Sequence, residues 1–390
     1  MIKTRYFFII MLFQVHYIEN HELEKIHQLL EHFFEKLANG AAVWDSSLFP
    51  TWFEDVFNRP TELDFTTKLR EIFDRYKKLL SPKKQAFYED FINSNKIQDL
   101  CNDTTVLVKT FQDLECVECV FTKSTNTPNK KGINVKKYTY NFFIHAYEGI
   151  LTKENPIATG VLKVNIKDHY QKYVDKNERM CPFCGLYHTK TPKTEGRADY
   201  DHYLDKATYP FSAVNLRNLV PMCDTCNKSL KGSKNMIVDN KGERVTAFYP
   251  YDPPPELEFK LSCTQSPTFD NKKGKWQVDI MPKTTDPVVE QKISTWKRVF
   301  NIANRYAEYV QELLQKWWNN FTSIKDWENE IIRLLENIRD GSHPFQIKSM
   351  VGFIPEKIFY EYLFDNDTIV RNLVAAKSSF DKPMYVPTMP

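Results

Sequence analysis

The chain has 390 residues, which is long enough for about two or three folded domains. Of these residues 14% are aromatic and only 11 are glycine, a composition that excludes a disordered or collagen-like protein. A formal charge of +3 at pH 7 is close to neutral, so nucleic-acid binding would have to come from local patches. Eight cysteines are too few for a disulfide scaffold, and their C-x-x-C pairs favour metal binding in a reducing compartment.

The first residues contain an apolar run, 5–13, that is similar in length to the hydrophobic part of a signal peptide. The run is too short to span a bilayer, and no small-residue cleavage site follows it. We therefore predict the start of a helix or strand here, a cytoplasmic location and no membrane association. Met11 remains an alternative start of the chain.

The next segments predict three helices. Apolar residues recur at helical spacing over 20–38, where Asn20 can cap the start and Gly40 can end the helix. The same spacing continues over 63–80. Pro82 then stands in the first turn of another helix, where its missing N–H costs no hydrogen bond.

Two segments rich in β-branched and aromatic residues, 104–121 and 137–147, predict strands. The first contains a C-x-x-C pair, Cys116 and Cys119, with no obvious partner pair. Alternation along a strand would bury one of these cysteines, and we favour that interpretation over a second metal site.

The centre of the chain carries two matched C-x-x-C pairs, Cys181 with Cys184 and Cys223 with Cys226, separated by 38 residues. Each pair can present two thiolates to one ion, and four thiolates complete a tetrahedral zinc site. The alternatives are a thioredoxin-like redox pair and buried cysteines without a ligand. Two matched pairs favour structural zinc.

A polar set of a different kind lies between and beside these cysteines: Asp201-His202, Asn218 and Asn227. Carboxylate and amide oxygens suit Mg²⁺ or Mn²⁺ rather than zinc. A histidine with an ordinary pKa near 6.5 can accept a proton from water around neutral pH. Taken alone, His202 would be an ordinary loop histidine.

Together these residues resemble the zinc-bearing branch of the H-N-H endonucleases, over about residues 175–235. The resemblance implies a ββα-metal fold, in which a β-hairpin and a helix hold one divalent ion. It implies His202 as the general base, and Asn218 as a brace for the loop that carries it. One departure is Asp205, at a position where the family often has proline. The ligands implied for the ion are Asp201, Asn227 and, as a further candidate, Asp199.

Two lysines, Lys228 and Lys231, follow Asn227 near the start of the same predicted helix. In this position they are candidates for binding DNA phosphates, which are usually contacted by lysine and arginine. The alternative is that both are ordinary solvated surface lysines.

After this region, 250–255 is a proline-rich linker and a natural domain boundary. Alternating apolar residues on both sides of a polar turn predict a β-hairpin between Leu257 and Ile280. Helical spacing over 296–321, and a capping motif at Ser323, predict a helical C-terminal region. No phosphate-binding loop of the G-x-x-x-x-G-K-[ST] type occurs, so we expect no ATP hydrolysis by this chain.

The predicted fold is α+β and mainly helical: an α+β region (1–170), a zinc-stapled ββα module (171–250), a linker and hairpin (251–285) and a helical domain (286–390). The predicted function is metal-dependent cleavage of DNA, with duplex DNA as the expected substrate, in a phage-defence or restriction system with a separate ATPase or sensor protein. The alternatives are a zinc-stabilised nucleic-acid-binding protein without cleavage activity, and an interaction scaffold built on the tryptophan-rich helices.

Overall fold

Helices predominate and the strands form two small antiparallel sheets, as the α+β prediction requires. The computed structural model describes residues 15–57, 64–77, 79–111, 113, 142–144, 146–151, 160–177, 179–192, 199–265, 274–322, 333 and 351–366. In chain order the elements are α1 (Glu24–Ala38), α2 (Glu54–Phe57), α3 (Asp64–Tyr76), α4 (Ser81–Ser94), α5 (Ile97–Asn102), α6 (Ile166–Lys176), β1 (Tyr200–His202), β2 (Leu219–Pro221), β3 (Leu257–Gln265), β4 (Lys275–Pro282), α7 (Pro287–Phe300), α8 (Ile302–Thr322) and α9 (Phe353–Asp365).

The chain divides into two compact units. The N-terminal unit comprises Gln14–Arg179 and Thr189–Asp252, and the C-terminal unit comprises Met180–His188 and the described residues from Pro253 onward. The change at Asp252 falls inside the predicted proline-rich linker. The units differ from the four predicted segments, because the short segment Met180–His188 groups with the C-terminal helices rather than with the residues around it.

The core of the N-terminal unit is built largely from aromatic rings. Helix α1 buries Phe33 and Phe34, and Phe34 lies with its ring centroid 5.0 Å from that of Phe91 in α4. Phe91 in turn lies 5.7 Å from Phe211, in the loop between β1 and β2. The helices therefore support the loop that precedes β2. Each such ring buries a large apolar area and stabilises the core.

The predicted helix starts and ends are partly confirmed. Helix α1 begins at Glu24, and Asn20 does not cap it, because Asn20 lies four residues earlier with a positive φ of 56°. Gly40 follows the end of α1 with a φ of 89°, as predicted for a residue that ends a helix. Pro82 lies in the first turn of α4, also as predicted.

The two predicted strands are wrong wherever the structure describes them. No strand forms in the described part of 104–121, namely 104–111 and 113, and Cys116 and Cys119 lie outside the described residues. Residues 142–144 are helical and Ala146–Leu151 form a π-helical turn. Packing explains this: Phe142, Phe143 and Ala146 are all buried, and helical spacing places them together on the core. Tertiary packing here overrides the β preference of aromatic residues.

The C-terminal unit contains the predicted hairpin. Strands β3 and β4 pair antiparallel, with Phe259 opposite Ile280, and the buried residues alternate along β3 as predicted. The predicted helical stripe is present but is divided into α7 and α8 at Asn301, whose backbone is left-handed. Of the predicted helix from Ser323, the structure describes only Arg333, which is helical.

None of the helices within the described ranges combines the length and apolarity needed to cross a membrane.

Buried histidines give the N-terminal unit a predicted sensitivity to acid. His169 in α6 is 1% exposed, and its burial, together with the nearby His21 ring, lowers its pKa to about 3. The unfolded chain takes up a proton near pH 6.5 and the folded chain only near pH 3. The stability that the folded protein has from keeping His169 neutral is therefore complete above pH 6.5. It is lost as the pH falls from about 6.5 towards 3.

We expect the free energy of unfolding to decrease by about 2 kcal/mol between pH 7 and pH 5 through His169 alone. Urea unfolding at the two pH values measures this decrease. The His169→Gln variant cannot take up the proton and should lose less stability over the same interval. An equal loss in both proteins would contradict the assignment.

Candidate active site

The short hairpin β1–β2 positions the Asp-His pair. Asp201 lies opposite Val220 and His202 opposite Leu219 in the antiparallel register. All three residues of each strand are buried, so the hairpin is held on both faces and its side chains have fixed directions. Asp201 and His202 point to opposite faces, as neighbours in a strand do.

A π-helical turn, Thr225–Lys231, follows β2 and carries Cys226, Asn227 and Lys231. The amide of Gly232 closes it by donating to the carbonyl oxygen of Asn227 at 2.8 Å. One extra residue per turn places residues five apart on a common face, and the buried residues of this turn are Cys226 and Lys231. π-helical turns are rare and occur frequently at functional sites.

The turn lies against the strand segment that leads into β1. The Asn227 side-chain amide donates to the Asp199 carbonyl oxygen at 3.3 Å, and the Lys228 ammonium lies 2.9 Å from the Asp199 carboxylate. Lys231 reaches the next positions, at Asp201 and His202. The helical turn therefore lies against the hairpin, with Asn227 in contact with Asp199 and Lys231 in contact with Asp201 and His202.

The four central cysteines form one buried cluster. The Sγ atoms of Cys181, Cys184, Cys223 and Cys226 all lie within 4.8 Å of one another, and the four residues do not form disulfides. Four convergent thiolates are the ligand set of a structural zinc site. The cluster can therefore hold a metal ion such as zinc.

Backbone amides around these sulfur atoms fit the same interpretation. The amide of Leu186 donates to Cys184 Sγ at 3.4 Å, and the amide of Cys226 donates to Cys223 Sγ at 3.4 Å. Gly185, directly after the second cysteine, has a φ of 61°, a conformation that favours glycine. Amides that point at sulfur stabilise thiolates, and thiolates are the form that binds metal.

The first cysteine turn is also held from outside by the C-terminal helices. Three successive carbonyl oxygens, those of Phe183, Cys184 and Gly185, accept hydrogen bonds from the Trp296 indole (2.8 Å), the Tyr306 hydroxyl (3.0 Å) and the Gly352 amide (2.7 Å). In addition, the Phe183 ring stacks on Phe300 with centroids 4.9 Å apart. These contacts explain why Met180–His188 belongs to the C-terminal unit.

His202 is buried and its tautomer is defined by one contact. Its Nε2 lies 2.9 Å from the carbonyl oxygen of Ala213, which can only accept, so neutral His202 carries its proton on Nε2 and keeps a lone pair on Nδ1. Burial lowers the pKa of His202 to about 3, well below the value near 6.5 expected from the sequence. The ring is therefore neutral at neutral pH, and in this buried setting it is a weaker base than expected. The Tyr147 ring packs edge-on against it at 4.4 Å between centroids.

Asp201 is 5% exposed and pairs with Lys231, which is 1% exposed. The Lys231 ammonium lies 3.2 Å from Oδ1 and 2.9 Å from Oδ2 of Asp201, and donates to the His202 carbonyl oxygen at 2.8 Å. Burial raises the pKa of Asp201 to about 6, against the opposing effect of Lys231. Lys231 thus faces inward, where a phosphate arriving from solvent would not meet it; Lys228 is exposed.

Asn218 ties together the loop between the two strands. Its Oδ1 accepts from the Leu204 amide at 2.7 Å, and its Nδ2 donates to the carbonyl oxygens of Leu204 (3.0 Å) and Ser212 (3.3 Å). The side chain is fully buried, and none of these three hydrogen-bond partners is a titratable group. This is the bracing position that the resemblance implied for Asn218.

The residue that replaces the expected proline has its own bracing role. The Asp205 carboxylate accepts from both the amide (3.0 Å) and the hydroxyl (2.9 Å) of Thr208. This is a turn stabilised by a side-chain oxygen, which restricts the backbone as a proline would.

The donor set for a second, hard metal ion is smaller than the cysteine set. Oδ2 of Asp201 is a buried oxygen without a well-directed hydrogen bond in the described structure, although the Lys231 charge lies close to it. Such an oxygen fits a cation. The side-chain amide nitrogen of Asn227 is directed to Asp199. Its amide oxygen is the atom that can serve as a metal ligand beside Asp201. The described residues gather no second group of three His, Cys, Asp or Glu ligand atoms.

The sequence did not predict three features of this site. Lys231 points inward to Asp201 and His202, the Ala213 carbonyl oxygen accepts from His202, and the Tyr147 ring packs against His202. Only Lys231 had a signal in its spacing, because it lies five residues after the buried Cys226. Ala213 lies in the loop between β1 and β2, and Tyr147 lies at the end of the segment 137–147 that was predicted as a strand. No local sequence pattern predicts that either residue contacts His202.

Comparisons with models of protein families, with curated proteins and with solved structures found no match to this chain. The resemblance to the H-N-H endonucleases therefore consists of the motif residues themselves.

Proposed function

We propose that the chain is a metal-dependent H-N-H endonuclease that hydrolyses phosphodiester bonds in DNA. The observation that supports this most directly is the neighbourhood of Asp201-His202 on a hairpin and Asn227 on the facing helical turn. Beside the same turn, the buried cluster of four cysteines can hold a structural metal ion, with Cys223 and Cys226 as two of its ligands. The geometry supports hydrolysis because it combines a base with a hard-metal donor set.

In this proposal each side chain has a separate task. His202 is neutral and its Nδ1 lone pair accepts a proton from the attacking water, while the bond from Nε2 to Ala213 keeps the ring in that tautomer. Asp201 and Asn227 would hold Mg²⁺ or Mn²⁺, and the ion supplies charge stabilisation at the phosphate and the leaving oxygen. Asn218 keeps the loop in place, and exposed Lys228 is available to a DNA phosphate.

The proposal includes duplex DNA as substrate and a separate ATPase or sensor protein as partner, since the sequence itself carries no ATP-binding loop. It also includes a cytoplasmic, phage-defence or restriction role. A zinc-stabilised binding protein without cleavage activity is the second candidate. It is favoured by one observation, the pairing of Lys231 with the Asp201 carboxylate, which competes with a cation for that group.

Cleavage of supercoiled plasmid tests the proposal. We expect nicking by the wild-type protein in Mg²⁺ or Mn²⁺ that stops with EDTA, and a loss of at least about tenfold in Asp201→Asn. Asp224→Asn, at an exposed carboxylate directly before the same turn, is the matched control and should retain activity. DNA retention at low salt without metal-dependent nicking, alone or with neighbouring gene products, would instead indicate the binding protein.

A further inference from the structure

Lys231 is the most deeply buried charged side chain of the site, and its ammonium lies close to three oxygen atoms, two of which accept hydrogen bonds from it. These are both carboxylate oxygens of Asp201, at 3.2 and 2.9 Å, and the carbonyl oxygen of His202, at 2.8 Å. A lysine ammonium is a compact point charge with three donors. Lys231 thus places a full positive charge against the proposed metal ligand rather than at the surface.

The two carboxylate oxygens of Asp201 are not equivalent. Oδ1 takes a hydrogen bond from Lys231, whereas Oδ2 is close to the same ammonium but lacks a directed hydrogen bond in the described structure. Oδ2 is therefore the oxygen available to a cation. Any cation bound there would lie within a few ångströms of the Lys231 charge.

The interaction between Lys231 and a cation bound at Asp201 is repulsive. A divalent cation and an ammonium that share one carboxylate repel each other, and the repulsion between close charges is strong where water is largely excluded. Because Lys231 is 1% exposed, solvent cannot screen it as it screens a surface lysine. The buried ammonium therefore opposes tight binding of a divalent ion by Asp201.

We propose that Lys231 is a positioning residue that fixes Asp201 and limits how tightly this carboxylate holds a divalent cation. The inference rests on the proposed function, because it concerns the same metal site. It assigns Lys231 to control of the ion, in place of the phosphate contact predicted for it. A weakly held ion suits a site in which Mg²⁺ keeps most of its own water ligands.

Two other roles for Lys231 predict different results. A purely structural ion pair would make any Lys231 substitution disturb the hairpin, and metal binding would weaken with it. A phosphate ligand would leave metal binding unchanged, while DNA affinity and its dependence on salt would decrease. Only the proposed role predicts tighter metal binding after the charge is removed.

Titration of the zinc-loaded, full-length protein with Mn²⁺, followed by the electron paramagnetic resonance of free Mn²⁺, separates these roles. We expect Lys231→Met to bind Mn²⁺ at least about tenfold more tightly than the wild-type protein. Lys231→Gln, which keeps a donor for the His202 carbonyl but no charge, should show the same increase and serves if the methionine variant does not fold. Lys234→Met, an exposed lysine three residues later, removes the same charge and should leave the affinity unchanged.

The Asp201→Asn variant distinguishes failure of the role proposed for Lys231 from failure of the proposed nuclease function. If the wild-type protein binds Mn²⁺ no better than Asp201→Asn does, the metal site and the proposed function both fail. If Asp201→Asn loses binding while the folded Lys231 variants bind Mn²⁺ equally or more weakly than wild type, the site is retained and the role proposed for Lys231 is overturned.

Discussion

Replacing Cys226 with serine is expected to remove most of the stability of the cysteine cluster, the largest effect predicted for any single substitution in this chain. Four buried Sγ atoms within 4.8 Å of one another form a closed ligand set. Structural zinc contributes roughly 10–16 kcal/mol in small zinc-binding peptides, comparable to the whole stability of about 5–15 kcal/mol of a typical domain. Losing one thiolate therefore outweighs any ordinary packing defect.

Thermal unfolding with and without a chelator measures the effect, with zinc content determined in parallel. The wild-type protein should melt at a clearly lower temperature once chelated, whereas Cys226→Ser should already melt low and respond little to the chelator. Cys263→Ser is the matched control, because Cys263 is half-buried and lies outside the cluster. A wild-type melting curve that ignores metal removal would rule out a structural ion.

Replacing His202 is expected to reduce DNA cleavage by about 10²–10⁴-fold, the range attributed to general-base catalysis. In the proposed mechanism, the Nδ1 lone pair of His202 takes the proton from the attacking water. His202→Gln is the sharper variant, since its amide nitrogen can replace Nε2 as donor to Ala213 while Nδ1 is lost. His202→Ala additionally removes the contact with Tyr147.

Single-turnover cleavage of a labelled duplex, with DNA binding measured separately, distinguishes lost chemistry from lost binding. Both His202 variants should bind DNA as the wild-type protein does. His188→Ala, which removes an exposed histidine, should leave the rate unchanged. Cleavage by His202→Gln at the wild-type rate would show that another group serves as the base.

Periodic patterns in the sequence predicted much of the fold. Apolar residues at helical spacing located α1, α3, α8 and the end of α7, Pro82 located the start of α4, and alternation located the hairpin β3–β4. These patterns work because each element buries one face. The four-cysteine cluster followed from spacing for a similar reason, since a C-x-x-C turn presents both thiolates to one point.

The failures involve interactions between residues distant in the sequence. The aromatic residues of 137–147 favour a strand locally, but Phe143 packs on Phe211, 5.0 Å between ring centroids, and this contact is unknown until the chain folds. The inward direction of Lys231 depends on a π-helical turn. Because such a turn adds one residue, spacing rules for the α-helix place its side chains on the wrong face.

The hydrogen bonds from Trp296, Tyr306 and Gly352 to the first cysteine turn have a consequence for protein synthesis. A ribosome makes Phe183, Cys184 and Gly185 more than a hundred residues before the last of these donors emerges. Until Gly352 is made, the carbonyl groups of Phe183, Cys184 and Gly185 do not have all three of these hydrogen bonds. The backbone of the first cysteine turn therefore receives its full set of hydrogen bonds only after Gly352 has been translated.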